Sequence, residues 1–178
     1  NEEQLALDVE RLNYGAAAQD HFDYNEDDPA NNELTAAQKA YGLGTVEMED
    51  FRVEGTGYVG TSLTLESRIS MQMAFSGLEK ANLYALIKFT NHSGVEVEDR
   101  IENADIAVSG SYRTVRVEQI VVADGRQLVT VELYDAATNE LVGSATDSME
   151  SYLARVNTEN ELFAAIMKFS DSAYAYLH

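Results

Sequence analysis

The chain has 178 residues, with 31 acidic against 12 basic side chains, a formal net charge of −19 and no cysteine. Such a surface repels phosphate backbones and anionic headgroups, so neither nucleic acid nor an anionic membrane surface is an expected partner. Without cysteine there is no thiolate nucleophile, no iron–sulfur or cysteine-ligated zinc centre and no disulfide scaffold. The hydrophobic content of 45% is that of a globular fold long enough for one full core. No apolar run approaches the ~20 residues that span a bilayer, so membrane insertion is not expected. Asn1-Glu2-Glu3-Gln4 is not a signal-peptide opening, and any export signal is expected upstream of it.

The first predicted element is a helix over residues 5–22, where Leu5, Val9, Leu12 and Ala16 recur at helical spacing. A polar loop over residues 23–32 holds the chain's one proline, Pro29. A short helix follows, opened by a Thr35–Gln38 capping box and stopped near Gly42. From about residue 45 the period changes from 3.6 to 2.

Leu63, Leu65, Ile69, Met71, Met73 and Phe75 share one parity, which predicts one long strand or two joined at a kink near Ser67-Arg68. The Met71/Met73/Phe75 stripe is read as core. Leu83, Ala85, Ile87 and Phe89 predict a further strand, with Tyr84 and Leu86 on its other face, as in a central strand covered on both sides. Val115 and Val117 alternate, then Ile120 and Val122 change parity, which predicts a β-bulge. Asp124-Gly125 reads as a hairpin turn into Val129, Val131 and Leu133, and Ala137-Thr138-Asn139 as the turn into a strand from Leu141 to Thr146. Helical spacing returns at Met149, Tyr152, Leu153 and Val156. A Thr158–Glu161 capping box then precedes a stripe of Leu162, Ile166, Phe169, Ala173 and Tyr176.

These elements predict an α+β fold, an antiparallel β-sandwich-like block of about six to eight strands bracketed by N-terminal and C-terminal helices. Residues 1–178 are read as one module with a β-rich core at 45–147 and closing helices at 149–178.

The two ends share a pattern. Leu12 to Phe22 aligns without gaps on Met167 to Leu177 at an offset of about 155 residues, with apolar pairs such as Leu7/Leu162, Tyr14/Phe169 and Ala18/Ala173. Residues 1–24 are therefore read as a helix equivalent to the closing helix of a preceding repeat. It is expected to pack on the sheet or against residues 158–177.

The stretch Leu12-Asn13-Tyr14-Gly15-Ala16-Ala17-Ala18-Gln19-Asp20-His21-Phe22-Asp23-Tyr24-Asn25, with Ala30-Asn31 and Leu34 to Tyr41 after it, resembles a repeated module of large secreted cell-surface proteins of gut Firmicutes. Gly60 to Phe75, Ile120 to Asp124 and Tyr152-Leu153 are similar to later parts of that module. The resemblance implies an extracellular setting beside leucine-rich repeats, immunoglobulin-like domains, dockerins or catalytic domains. It carries no assigned activity and no functional residues, and this chain departs from it in its higher acidity and in Pro29.

The chemistry-bearing residues point the same way. His21, His92 and His178 have no metal-ligand spacing, and no nucleophile–base pair is visible. Glu96, Glu98 and Asp99, or Glu47, Glu49 and Asp50, are the carboxylates a glycosidase could pair, but their alternation with Val or Met is that of a solvated sheet face. Asp23-x-Asn25-x-Asp27 mimics the first ligands of a calcium loop, then fails where Asp28 stands for glycine and Leu34 for the bidentate glutamate. Sugar stacking would have to use tyrosine, with Tyr58, Tyr112 and Tyr134 as candidates, because the chain has no tryptophan. Asn91-His92-Ser93 fits the glycosylation pattern and is read as a turn.

No catalytic, cofactor-binding or metal residues are assigned. No cofactor is expected, calcium at the Asp23 loop being the one exception left open. The expected function is a non-enzymatic spacer or adhesion unit whose partners are neighbouring modules of the same chain. The alternatives are a binding module for polysaccharide or a host glycoprotein such as mucin or immunoglobulin, and third a carboxylate-based glycoside hydrolase.

Overall fold

A computed structural model describes residues 2–7, 9–10, 13–14, 45–65, 68–78, 82–156 and 161–178. The predicted loop at 23–32 with its calcium-like run, the helix at 35–42 and the Thr158 cap lie outside these residues. The chain groups into two compact units, Glu49–Tyr152 and a second formed by Asn1–Met48 with Leu153–His178.

The first unit holds eight strands in two four-stranded antiparallel sheets, and helices stand toward both ends of the chain, so the fold is α+β. One sheet has the order β1 (Tyr58–Leu65), β2 (Ile69–Ser76), β6 (Tyr112–Val117), β5 (Ala107–Ser109). The other has the order β4 (Glu96–Glu102), β3 (Leu83–Thr90), β7 (Val129–Asp135), β8 (Leu141–Asp147).

Period-2 alternation in both sheets feeds one core. Met71, Met73, Phe75, Val115 and Val117 from the first sheet pack with Ala85, Ile87, Phe89, Val129, Val131 and Leu133 from the second. Burying each of the larger of these side chains contributes about 1.5–3 kcal/mol. The methionine stripe is core, as its spacing predicts.

The run over 58–76 is two strands, β1 and β2, paired antiparallel with Leu65 opposite Ile69, the second of the two forms predicted; Ser67 itself lies outside the described residues. The turn at Ala137–Asn139 is also as predicted. The Asp135 carboxylate accepts the Ala137 and Thr138 N–H groups at 2.8 and 3.0 Å, and Asn139 takes the left-handed conformation at φ 58°.

Two expectations are corrected between β6 and β7. Asp124-Gly125 does not join paired strands, because β6 and β7 belong to different sheets. Gly125 sits at φ −56°, in the right-handed region, after a 3-10 turn over Val122–Asp124, so the geometry of a two-residue hairpin is not there. The parity change after Val117 is the end of a strand and the start of a crossover, not a bulge. Register shifts fall instead between Tyr58 and Gly60 in β1 and between Leu133 and Tyr134 in β7.

A strap precedes β1. Val53 pairs with Thr146 through N–H···O bonds of 3.2 and 3.4 Å, and the Ser144 N–H donates to the Thr56 carbonyl at 3.0 Å. Between these contacts a Cβ on Gly55 would stand 1.7 Å from the Ser144 carbonyl oxygen, so only glycine lets the two backbones come this close.

α1 (Met149–Val156) starts at Ser148, whose Oγ accepts the Ser151 N–H at 2.9 Å. Met149 and Leu153 are buried and Val156 is exposed, so about two turns of apolar spacing bury two of their members fully. In the second unit α2 (Glu161–Leu177) carries the predicted stripe, with Ile166 and Ala173 buried. Its buried face is wider than that stripe, because Ala164, Ala165, Met167 and Ser170 are buried too. Residues 2–7, 9–10 and 13–14 are helical. Gln4 Nε2 donates to the Tyr176 carbonyl at 3.3 Å and Lys168 Nζ lies 5.4 Å from the centre of the Tyr14 ring. Early residues thus meet late ones and later residues meet earlier ones, the sense of two antiparallel helices.

Candidate functional site

The crossover that carries Asp124 to the core edge also brings it to the β3–β4 turn. Asn91 shapes that turn: its Oδ1 accepts the Ser93 and Val95 N–H groups, each at 3.0 Å, and Gly94 supplies φ 75°. His92 is thereby aimed at Asp124. The Asp124 carboxylate accepts the His92 N–H at 2.6 Å, meets His92 Nδ1 at 2.9 Å, and accepts the Val121 N–H at 2.8 Å on its second oxygen. Asp124 is 4% exposed. Burying a carboxylate is costly unless hydrogen bonds compensate it, and here two backbone N–H groups from two loops and the His92 ring do so. The pair orients an imidazole as a catalytic dyad would, and it also ties two loops 32 residues apart into one corner.

A second buried polar group surrounds the start of α1. Asp147 accepts the Ser148 N–H at 2.9 Å and the Tyr58 hydroxyl at 3.1 Å. Glu150 accepts the Glu49 N–H at 3.3 Å and pairs with Arg126. Ser151 Oγ donates to Asp50 Oδ1 at 2.6 Å and accepts the Phe51 N–H at 3.1 Å. These bonds fasten the strap at 49–53 to the helix start.

The outer face of the second sheet carries a polar and aromatic row. Tyr84 and Tyr134 are register partners and stack at 5.1 Å with a 9° interplanar angle. The Arg100 guanidinium lies 3.6 Å over the Tyr84 ring. Lys88 Nζ and the Tyr134 hydroxyl both donate to Glu132 Oε2 at 2.8 Å. The Lys88 hydrogen bond holds the Glu132 carboxyl below its ordinary value, with Tyr134 adding to it against the cost of burial. The same bonds raise Lys88 and Tyr134.

The sequence candidates are dispersed by the fold. Glu96 and Glu98 lie exposed on β4, opposite Thr90 and Lys88, while Asp99 faces the other way and accepts from Gln119 Nε2. Glu47 and Glu49 are exposed, and Asp50 is engaged by Ser151. Tyr58 is no sugar platform: its ring packs edge-on against Phe75 and its hydroxyl meets Thr61 and Asp147. Tyr134 offers one face to Tyr84. Tyr112, at 42% exposure, is the one candidate tyrosine whose side chain stands out from the strands. His178 packs on Tyr174 with ring centres 4.4 Å apart, and His21 lies outside the described residues.

Among the described residues no cluster of three or more His, Asp or Glu is arranged to hold a metal. In the second unit Glu10, Tyr14, Lys168, Asp171, Ser172 and Ala175 line a shallow hollow of about 260 Å³.

Sequence reasoning did not pair His92 with Asp124, because 32 residues separate them and nothing local marks the contact. It did not name Ser148 either, although a serine directly before Met149 at the start of helical spacing is an N-cap signal. Compared with known protein families, curated proteins and solved structures, the chain matches none of them.

Proposed function

We propose that the chain is a non-catalytic module of a multidomain bacterial cell-surface protein, a spacer or adhesion unit working outside the cell beside neighbouring modules of the same chain. The observation that supports this reading best is how the buried carboxylates are employed. Asp124 and Glu150 each hold a backbone N–H group of a neighbouring segment, and Asp147 holds the Ser148 N–H and the Tyr58 hydroxyl, so these carboxylates are occupied in closing loops, the strap and the helix start onto the sandwich. No helix among the described residues is long and apolar enough to cross a membrane.

The isolated 178-residue protein, screened on a glycan array, against mucin and immunoglobulin, and for polysaccharide hydrolysis, is expected to show neither saturable binding tighter than about 10 μM nor turnover. Saturable binding would replace this reading with that of a polysaccharide or host-glycoprotein module. Tyr112 favours that alternative by its exposure, and Tyr112→Ala should then abolish the signal. Hydrolysis lost on replacing two carboxylates would instead favour the glycosidase.

A further inference from the structure

Four strands form the edges of the two sheets, and three of those edges are closed to strand addition. β4 carries Glu96, Glu98, Asp99, Arg100 and Glu102 in seven residues, so a strand laid beside it meets charge at nearly every position. β5 is only three residues long. The free side of β8 is occupied by the strap, which takes up the Ser144 N–H and both hydrogen-bonding groups of Thr146.

β1 has none of these protections. Its eight residues, Tyr-Val-Gly-Thr-Ser-Leu-Thr-Leu, contain no charge and no proline. No described residue pairs with the side of β1 that faces away from β2. Val59 is 50% exposed and Ser62 is exposed.

We propose that β1 is a self-association edge, at which two copies of the chain pair β1 with β1 in antiparallel sense about a two-fold axis and join two four-stranded sheets into one of eight. Charge chooses the occupant. An isologous antiparallel contact sets the residue at the two-fold against its own copy and every other residue against the one equally far on the other side, so pairing of β4 centred on Asp99 would bring Asp99 onto Asp99 and Glu96 onto Glu102. β1 is self-complementary because it is neutral. The strands of its sheet carry only Arg113 and Arg116 as charged residues. Threonine, valine and leucine also make favourable cross-strand pairs. The remaining obstacle is the long-range repulsion of two −19 bodies, which salt screens, so the pair should tighten as salt rises.

Sedimentation of the intact protein over the micromolar to submillimolar range should show a monomer–dimer equilibrium that strengthens with sodium chloride. Ser62→Lys places two ammonium groups together at the two-fold and should weaken it about tenfold or more. Val59→Lys puts a charge on the same edge away from the two-fold and should weaken it too, by less, which keeps the test alive if Ser62→Lys melts early. Glu98→Lys on β4 should leave the dimer intact. The absence of native cysteine allows a direct geometric readout. Ser62→Cys, near the centre of β1, should oxidise to a disulfide-linked dimer, and Glu98→Cys should not. A monomer at every concentration, a dimer indifferent to both lysines, equal cross-linking at both cysteines, or a monomer whose β1 takes up only a foreign peptide would each overturn the proposal.

Discussion

The two sheets share a core and differ in what they carry outside it. The strands of the β1-β2-β6-β5 sheet hold two arginines and no carboxylate, whereas those of the β4-β3-β7-β8 sheet hold seven carboxylates with Lys88 and Arg100. The acidity behind a net charge of −19 is therefore unevenly shared between the two sheets. Acidity in the second sheet is tied to particular jobs. Glu132 anchors the tyrosine row, Asp135 shapes a hairpin and Asp147 receives the helix start, while Glu96 and Glu98 guard an edge. The first sheet is left with threonine, serine and glutamine on its outer face and with an edge that no described residue pairs with. Composition fixes the total charge, and topology decides which face is spared.

Core truncation asks whether the sheets, so different outside, are one structure inside. Phe75→Ala in the first sheet should cost about 3–5 kcal/mol and Leu133→Ala in the second about 2–5 kcal/mol. Both should give a single urea transition by circular dichroism and tyrosine fluorescence. Two separate transitions would mean that the sheets do not share a cooperative core. Asp124→Ala leaves the His92 and Val121 donors unmatched and should cost about 1–3 kcal/mol, read from the same urea curves. Gly55→Ala should cost a similar ~1–3 kcal/mol by forcing the strap off Ser144. Its signature is faster amide exchange at Ser144 and Thr146, with the β2–β6 ladder unchanged.

Tyr134→Leu removes the ring stack on the second sheet and should cost about 0.5–1.5 kcal/mol beyond the area lost. The smallest effect is one of pH. Glu132 has its folded value lowered from an ordinary 4.5, so its stabilising contribution is fully present above about that pH and is lost as pH falls through the lower folded value. The melting temperatures of wild type and Glu132→Gln should therefore differ most near neutrality and converge in acid. A difference that grows on acidification would reverse the role given to the Lys88–Glu132–Tyr134 group.

Much of this architecture was legible locally. Alternation located the core residues of β2, β3, β6 and β7, and the spacing of Met149, Leu153, Ile166 and Ala173 located the helices. Asp124-Gly125 was misleading because its composition suits a tight hairpin, while the fold uses Asp124 as an acceptor for a loop 32 residues away. Local pattern reports which face of an element is apolar and is silent about which element it joins. The order of strands, the His92–Asp124 corner and the unguarded side of β1 all depend on that long-range choice. Gly55 belongs with them: one glycine among eleven gives no sign that another backbone lies against it.

The strap also sets a valence. If β1 pairs with β1 as proposed, then while residues 53–56 lie along β8 the described residues leave one strand edge for pairing, and an object with one sticky side can do no more than pair. A single cut after Arg52, followed by release of the strap, would uncover the Ser144 and Thr146 groups and give each body a second sticky side. Dimers would then become links, and links would grow into fibres. The few residues that close β8 are in that sense a chain terminator, and protease treatment followed by light scattering would show whether they act as one.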